Sequence, residues 1–244
     1  MEQRLRSEMN VLVPSGLYPA GVVPVPDVRI KGPAFFPGGS GLYLEGGDTA
    51  TPRTSTFPIG CVMVVGHNFG CAQYRQDIRL AGREDDKATW RNLRGLLTDA
   101  DVPIESCFMT NWFVGLQPGS KQVGEFLSRP DSRYERECSE LLLEQIRTLK
   151  PHVILLLGLP VVGRAHRIMP SLRPWADAPN WGVVDSSSLG ASAYGVEIPG
   201  TGVKANVVAL LHPSFSPSNQ RHRRIAFPVE KPEVEMIRSA TAKP

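Results

Sequence analysis

Three short stretches of the chain pair an amide, imidazole or hydroxyl side chain with glycine, tryptophan or proline, each directly after an apolar run. They are Gly66-His67-Asn68-Phe69-Gly70, Asn111-Trp112 and His212-Pro213-Ser214; a fourth run ends at Gly158-Leu159-Pro160. The spacing Gly66-x-Asn68-x-Gly70 predicts a tight turn that aims backbone N–H groups and one amide at a ligand. Asn also bonds its own backbone in ordinary turns, so a plain turn fits the same residues. The stretch is not a P-loop, because it lacks the Gly-Lys-Ser/Thr ending, nor a dinucleotide fingerprint, because it lacks the third glycine. Asn111 is of a type that performs recognition, since an amide both donates and accepts, and it suits a capping role equally well. His212 is either a hydrogen-bond donor to a reacting group or a structural histidine before Pro213. Ser214 has little support as a hydrolase nucleophile, because no G-x-S-x-G is present.

The elements that must carry these residues follow from hydrophobic patterning. Cys61 to Gly66, Ser106 to Asn111, His152 to Gly158 and Ala205 to Leu211 are short, mostly apolar runs, which predicts four buried strands. A helix is expected from about Thr89 to Ala100, with Trp90, Leu93, Leu96 and Leu97 on one face. The strongest helix is expected over Ser132 to Leu149, ended by Lys150-Pro151. A short helix follows through Val162 to Ile168, and 170–202 reads as loop with room for a hairpin. Fully apolar strands separated by helices predict an α/β fold, a three-layer α/β/α sandwich around a central four-stranded, mostly parallel sheet. Ligands of such sheets bind outside the carboxyl ends of the strands, where all four stretches converge.

Composition bounds the rest. The chain has 244 residues, 41% hydrophobic and 21% charged, with a formal charge of +3, so any nucleic-acid surface must be local. The longest apolar run, Val153 to Val162, is about half of the ~20 residues a bilayer span needs. No apolar segment follows the charged start Met1-Glu2-Gln3-Arg4, which predicts no secretory signal, and the cysteine usage predicts a cytoplasmic home. Cys61, Cys71, Cys107 and Cys138 are scattered, without a C-x-x-C pair, which argues against metal ligands and for a reducing compartment; Cys61 and Cys107, in apolar runs, read as small core residues. Residues 1–58 are dense in proline and glycine and are expected to form an arm that wraps the core through Val22-Val23, Phe35-Phe36 and Leu42-Tyr43-Leu44. Residues 59–244 are the expected catalytic domain.

In their order, the motifs resemble the uracil-DNA glycosylase superfamily. Val64-Val65-Gly66-His67-Asn68-Phe69-Gly70 is similar to its first motif, in the G-x-N-P-G form of the mismatch-specific and single-strand-selective branches. Phe108-Met109-Thr110-Asn111 is similar to the strand whose terminal Asn reads the base, Leu149-Lys150-Pro151 through Gly158 to the family's third strand, and Leu211-His212-Pro213-Ser214 to its second motif. Phe69 stands where proline is usual and no Asp follows Gly66-His67, which marks a divergent member. The resemblance covers about residues 61–226. It implies a monofunctional glycosylase that removes uracil from DNA as a monomer, without cofactor or metal.

The resemblance assigns roles residue by residue. Asn68 and His212 are the expected catalytic pair, with Gly66, His67, Phe69, Gly70, Tyr74 and Asn111 around the base. Phe69 or Tyr74 would stack on it, and either is equally a core aromatic. Ser214, Phe215, Arg221, Arg223 and Arg224 are the expected DNA contacts, in the most basic window of the chain, with a solvated helix face as the plain alternative. The chemistry is independent of the name. Cleaving an N-glycosidic bond leaves a sugar cation and a uracil anion, so a donor at the anion and a placed water suffice. The expectation carries two rivals: a catalytically weak base-sensing module on the same fold, and a hydrolase of nucleosides or small esters using His212 and Ser214.

Overall fold

The structure, a computed structural model, describes residues 15–25, 59–81, 87–120, 126–127, 132–214 and 218–242. Its centre is a five-stranded sheet in the order β3-β2-β5-β7-β6. The strands are β2 (Val62–Gly66), β3 (Cys107–Asn111), β5 (Val153–Leu157), β6 (Ser192–Ile198) and β7 (Val203–Leu210). The first four strands in that order are parallel, and β6 joins the edge antiparallel to β7. β2, β3 and β5 are buried at every position, which is why their sequences are apolar without alternation.

The expectation of four strands is corrected to five. Segment 170–202, read as loop with room for a hairpin, contains helix α5 (Trp181–Asp185) and strand β6, which forms an antiparallel hairpin with β7. Gly195 interrupts β6 at φ +62°, where the register shifts between Ala193 and Val196, and Asn206 Oδ1 accepts its N–H at 2.9 Å. The bulge hides the alternation that would have marked a strand.

Helices cover both faces. One face carries α3 (Arg133–Leu149) and α4 (Leu159–Arg164), packed in a cluster with Met63, Val65, Phe108, Ile154, Leu156 and Val207. The other carries α2 (Ala88–Asp99) and α7 (Pro232–Ala242) over Val62, Val64, Met109, Leu155 and Leu210. Helix α1 (Ala72–Ala81) follows β2, and α6 (Ser218–Ala226) precedes α7. Ser132 Oγ accepts the Glu135 N–H at 3.2 Å and starts α3; Lys150 ends it in the left-handed region at φ +47°. All four cysteines are free and buried. No helix among the described residues is long and apolar enough to cross a membrane.

Of the N-terminal arm, the structure describes 15–25. Val22 is buried in the larger core cluster, and strand β1 (Val23–Pro24) pairs antiparallel with β4 (Gly115–Leu116). Phe35-Phe36 and Leu42-Tyr43-Leu44 lie outside the described residues.

A buried ion cluster fastens the C-terminal helices to the sheet. Arg223 on α6 is 1% exposed. It donates to Glu233 on α7 at 2.6 Å and to Asp185 on α5 at 3.0 Å, with its guanidinium 4.6 Å over the Trp181 ring. The same Glu233 oxygen accepts the Leu211 N–H at 2.6 Å, directly before His212. The reading of Arg223 as a phosphate contact is therefore corrected: burial and two carboxylates engage it inside the fold. Removing one partner of a buried ion cluster typically costs about 3–5 kcal/mol, because the other charges stay buried and unpaired. Arg223→Ala is expected to lower the free energy of urea unfolding by about that much, whereas the exposed Arg224→Ala should change it by less than about 0.5 kcal/mol. Equal losses would contradict this placement.

Candidate functional site

The strand order β3-β2-β5-β7 puts the carboxyl ends of four parallel strands in one row, about 4.8 Å apart. Gly66 lies opposite Asn111 in register, and Leu157 opposite Leu210. Asn111, the 66–70 loop, Gly158 and His212 therefore come together at one edge of the sheet. Their separation along the chain vanishes because each apolar strand ends at the same level.

The 66–70 loop is held by the chain that leaves β3. Gly66, His67 and Gly70 carbonyls accept the N–H groups of Trp112, Phe113 and Gln117 at 2.8, 3.0 and 2.9 Å. Asn68 Oδ1 accepts the Gly70 N–H at 2.7 Å, closing the turn. Gly70 has φ +78°, and a Cβ there would meet the Tyr74 ring at 3.3 Å.

The backbone donor fixes the chemistry of the next two groups. Since the Asn68 oxygen faces Gly70, its amide nitrogen is the atom 3.1 Å from His67 Nδ1, which must accept. His67 therefore carries its hydrogen on Nε2, and that atom is buried without a hydrogen-bond partner among the described residues. Burial, then the charges of Arg164 and His212, push the His67 pKa down to about 3. Its ring meets Phe113 edge-on, with centroids 5.5 Å apart, and the Arg164 guanidinium lies 5.5 Å from the same Phe113 ring.

Asn111 is 4% exposed, and its Nδ2 is likewise buried without a partner among the described residues. Such an atom costs roughly 1–3 kcal/mol until something accepts from it. Across the row, His212 packs against Gly158, where φ is +91° and a Cβ would lie 3.3 Å from the histidine Cβ. The Ser214 N–H donates to His212 Nδ1 at 3.3 Å, so that nitrogen accepts and the hydrogen of the neutral ring sits on Nε2. Burial holds the His212 pKa below its ordinary value. The imidazole is thus a neutral donor near pH 7. Ser214 Oγ lies 2.7 Å from the same Nδ1. That distance also suits a nucleophile and its base, but the accompanying backbone bond makes the contact a local turn.

Not every expected residue reaches the site in the expected role. Phe69 is 7% exposed and belongs to the core cluster, which fits the core alternative expected for it. Tyr74 is half-buried beside Gly70, with Lys87 Nζ 5.8 Å from its ring, and stays a candidate. Arg221 and Arg224 are exposed on α6, and Arg224 lines a cleft that also includes His212. Phe215 lies outside the described residues. Sequence reasoning missed Arg164 and Phe113, which frame His67. It also missed Asn92, whose Nδ2 donates to the Pro213 carbonyl at 2.7 Å, and Glu233. Phe113 follows Asn111 by two residues, which was the one available signal. Among the described residues, no three His, Cys, Asp or Glu side chains gather as metal ligands would.

The chain matches no protein-family model and no curated protein.

The state of His67 generates a test. The unfolded chain protonates this imidazole near pH 6.5 and the folded chain only near 3. Between those values the unfolded state holds a proton that the folded state lacks. The stability from neutral His67 is therefore complete above about pH 6.5 and falls as pH drops, by about 1.4 kcal/mol per pH unit. In urea unfolding measured against pH, His67→Gln is expected to flatten the wild-type slope by that amount between about pH 6 and 4. An unchanged slope would mean that His67 titrates normally.

Proposed function

We propose that this chain is a DNA glycosylase that hydrolyses the N-glycosidic bond of uracil in DNA, releasing the base and leaving an abasic site. The observation that carries the reading is the buried amide nitrogen of Asn111, without a partner among the described residues, at the end of β3 in the same row as the neutral donor His212. A buried donor of this kind favours a ligand that brings an acceptor. Uracil brings one at O4 and a donor at N3, the complement of an amide, whereas cytosine presents the reverse pattern. A mismatched base would leave buried polar groups unpaired, worth roughly 1–3 kcal/mol.

The reaction needs little more. The bond between C1′ and N1 breaks with its electron pair left on the base, and negative charge develops on the uracil oxygens. His212 Nε2–H donates to that charge without first having to be protonated, because the neutral tautomer already carries the hydrogen. Water adds its oxygen to C1′ and gives up its proton to solvent. Asn68, held by Gly70 and His67, keeps a second lone pair and a second amide hydrogen with which to orient that water. The target base must leave the helix stack to reach this edge.

The engagement of Asn68 also favours a second reading. A loop that holds an amide where a base would be useful fits a module that recognises an extruded uracil and cleaves it slowly, if at all.

One assay separates the two: incubation with a uracil-containing oligonucleotide, followed by alkaline cleavage of abasic sites. Wild-type protein is expected to produce strand breaks at the uracil, and His212→Ala to reduce the single-turnover rate by about 10²–10³ with little change in DNA affinity. Binding without any breaks from wild-type protein would replace the glycosylase reading by the sensing one. Asn111→Asp, which has no donor for O4, is expected to lose uracil excision while still binding DNA. Full excision by that variant would remove Asn111 from base reading.

A further inference from the structure

We propose that the cleft beside His212, between α2 and the corner of α6 and α7, is a subsite for a backbone phosphate of the strand that carries the extruded nucleotide. The occupant rests on the reading above; the site itself rests on shape and charge. The cleft has a volume of about 360 Å³, in the range of small ligand pockets and ample for one nucleotide unit. His212 and Pro213 form one side of it, so whatever fills it lies next to the reacting group.

Charge decides what that occupant is. Arg91, Arg223, Arg224 and Lys231 line the cleft against Asp99 and Glu233. Arg223 is engaged by Glu233 and Asp185, and Lys231 by Asp99 at 2.9 Å, so both lining carboxylates are neutralised. Arg91 and Arg224 have no acidic partner among the described residues, and both are exposed. One comes from α2 and the other from α6, so two elements distant in sequence bring unmatched cations to one cavity. A merely solvated basic helix would not require the first. The wall bearing Arg91 is also fixed to the site, because its neighbour Asn92 donates to the Pro213 carbonyl at 2.7 Å. A negatively charged group on a strand leaving the pocket fits this arrangement, and the phosphodiester is the group that every nucleotide supplies. Arg221 lies on the same helix and is equally exposed, but it does not line the cleft, which makes it an internal control.

The test is binding of a fluorescent, uracil-free single-stranded oligothymidylate, measured by anisotropy over a range of salt concentrations. Each phosphate contact on a single strand contributes about 0.7 to the salt slope, which corresponds to roughly fivefold in affinity at about 0.1 M salt. Arg91→Ala and Arg224→Ala are each expected to flatten the slope by about that much, and the double variant by about twice as much. Arg221→Ala is expected to change it by less than half as much. A wild-type slope in Arg91→Ala, or an equal loss in Arg221→Ala, would overturn the subsite. Millimolar inorganic phosphate that binds wild type through Arg91 without displacing the oligonucleotide would also overturn it, by making the cleft a pocket for the free anion. Since the probe contains no uracil, absence of base excision leaves this result standing, and a failed subsite leaves the excision assay standing.

Discussion

Four parallel strands that are apolar on both faces can present polar groups only where they end, and here they end at one level. The register that sets Gly66 opposite Asn111, and Leu157 opposite Leu210, converts four distant stretches of chain into one row. Everything chemical about the molecule depends on that alignment. A one-residue slip of β3 against β2 would turn Asn111 to the other face and remove it from the row. The alignment is also held from outside the sheet: the chain after β3 is bonded to the 66–70 loop, and Glu233 clamps the backbone N–H just before His212. The buried Arg223 cluster thus contributes to the site through the position of the histidine loop, rather than through contact with a ligand.

Backbone donors do the second part of the organisation. An N–H group can only donate, so the Gly70 and Ser214 amides leave no choice of orientation to the groups facing them. Gly70 sets the Asn68 amide, and Asn68 sets the His67 tautomer; Ser214 sets that of His212. Both imidazoles end up neutral, with the hydrogen on Nε2, and burial keeps them so near pH 7. Two positively charged histidines in this position would oppose each other and Arg164. Neutral donors suit the proposed reaction, in which negative charge develops only as the bond breaks.

The central strands and the two long helices were legible in the sequence because burial on both faces, or on one helical stripe, leaves a direct imprint on residue type. Other elements leave none. Strand β6 is an edge strand broken by a glycine bulge, and α7 buries Pro232, Glu233 and Met236 as readily as its aliphatic residues. Helix α1 is mostly polar, with Arg75 and Ile78 as its buried residues. At the site, Asn111, Gly158 and His212 were readable because glycine, asparagine and histidine at the ends of apolar runs are conspicuous. Arg223 was not readable as a buried residue. It stands in a basic window, and its partners Asp185 and Glu233 are 38 and 10 residues away, a pairing that only the folded chain creates. Phe69 and Arg164 share that limit, since stacking and core packing use the same residue types.

In the proposed function, the buried Asn111 amide meets the acceptor edge of uracil. The most direct measurement is a titration of the free base into ¹⁵N-labelled protein, following the Asn111 side-chain amide resonances by NMR, with cytosine as the comparison. Uracil is expected to move both Asn111 amide proton signals in a saturable way, the hydrogen-bonded one downfield, while cytosine at the same concentration leaves them in place. Asn111 signals that ignore uracil, or that respond equally to cytosine, would contradict the claim.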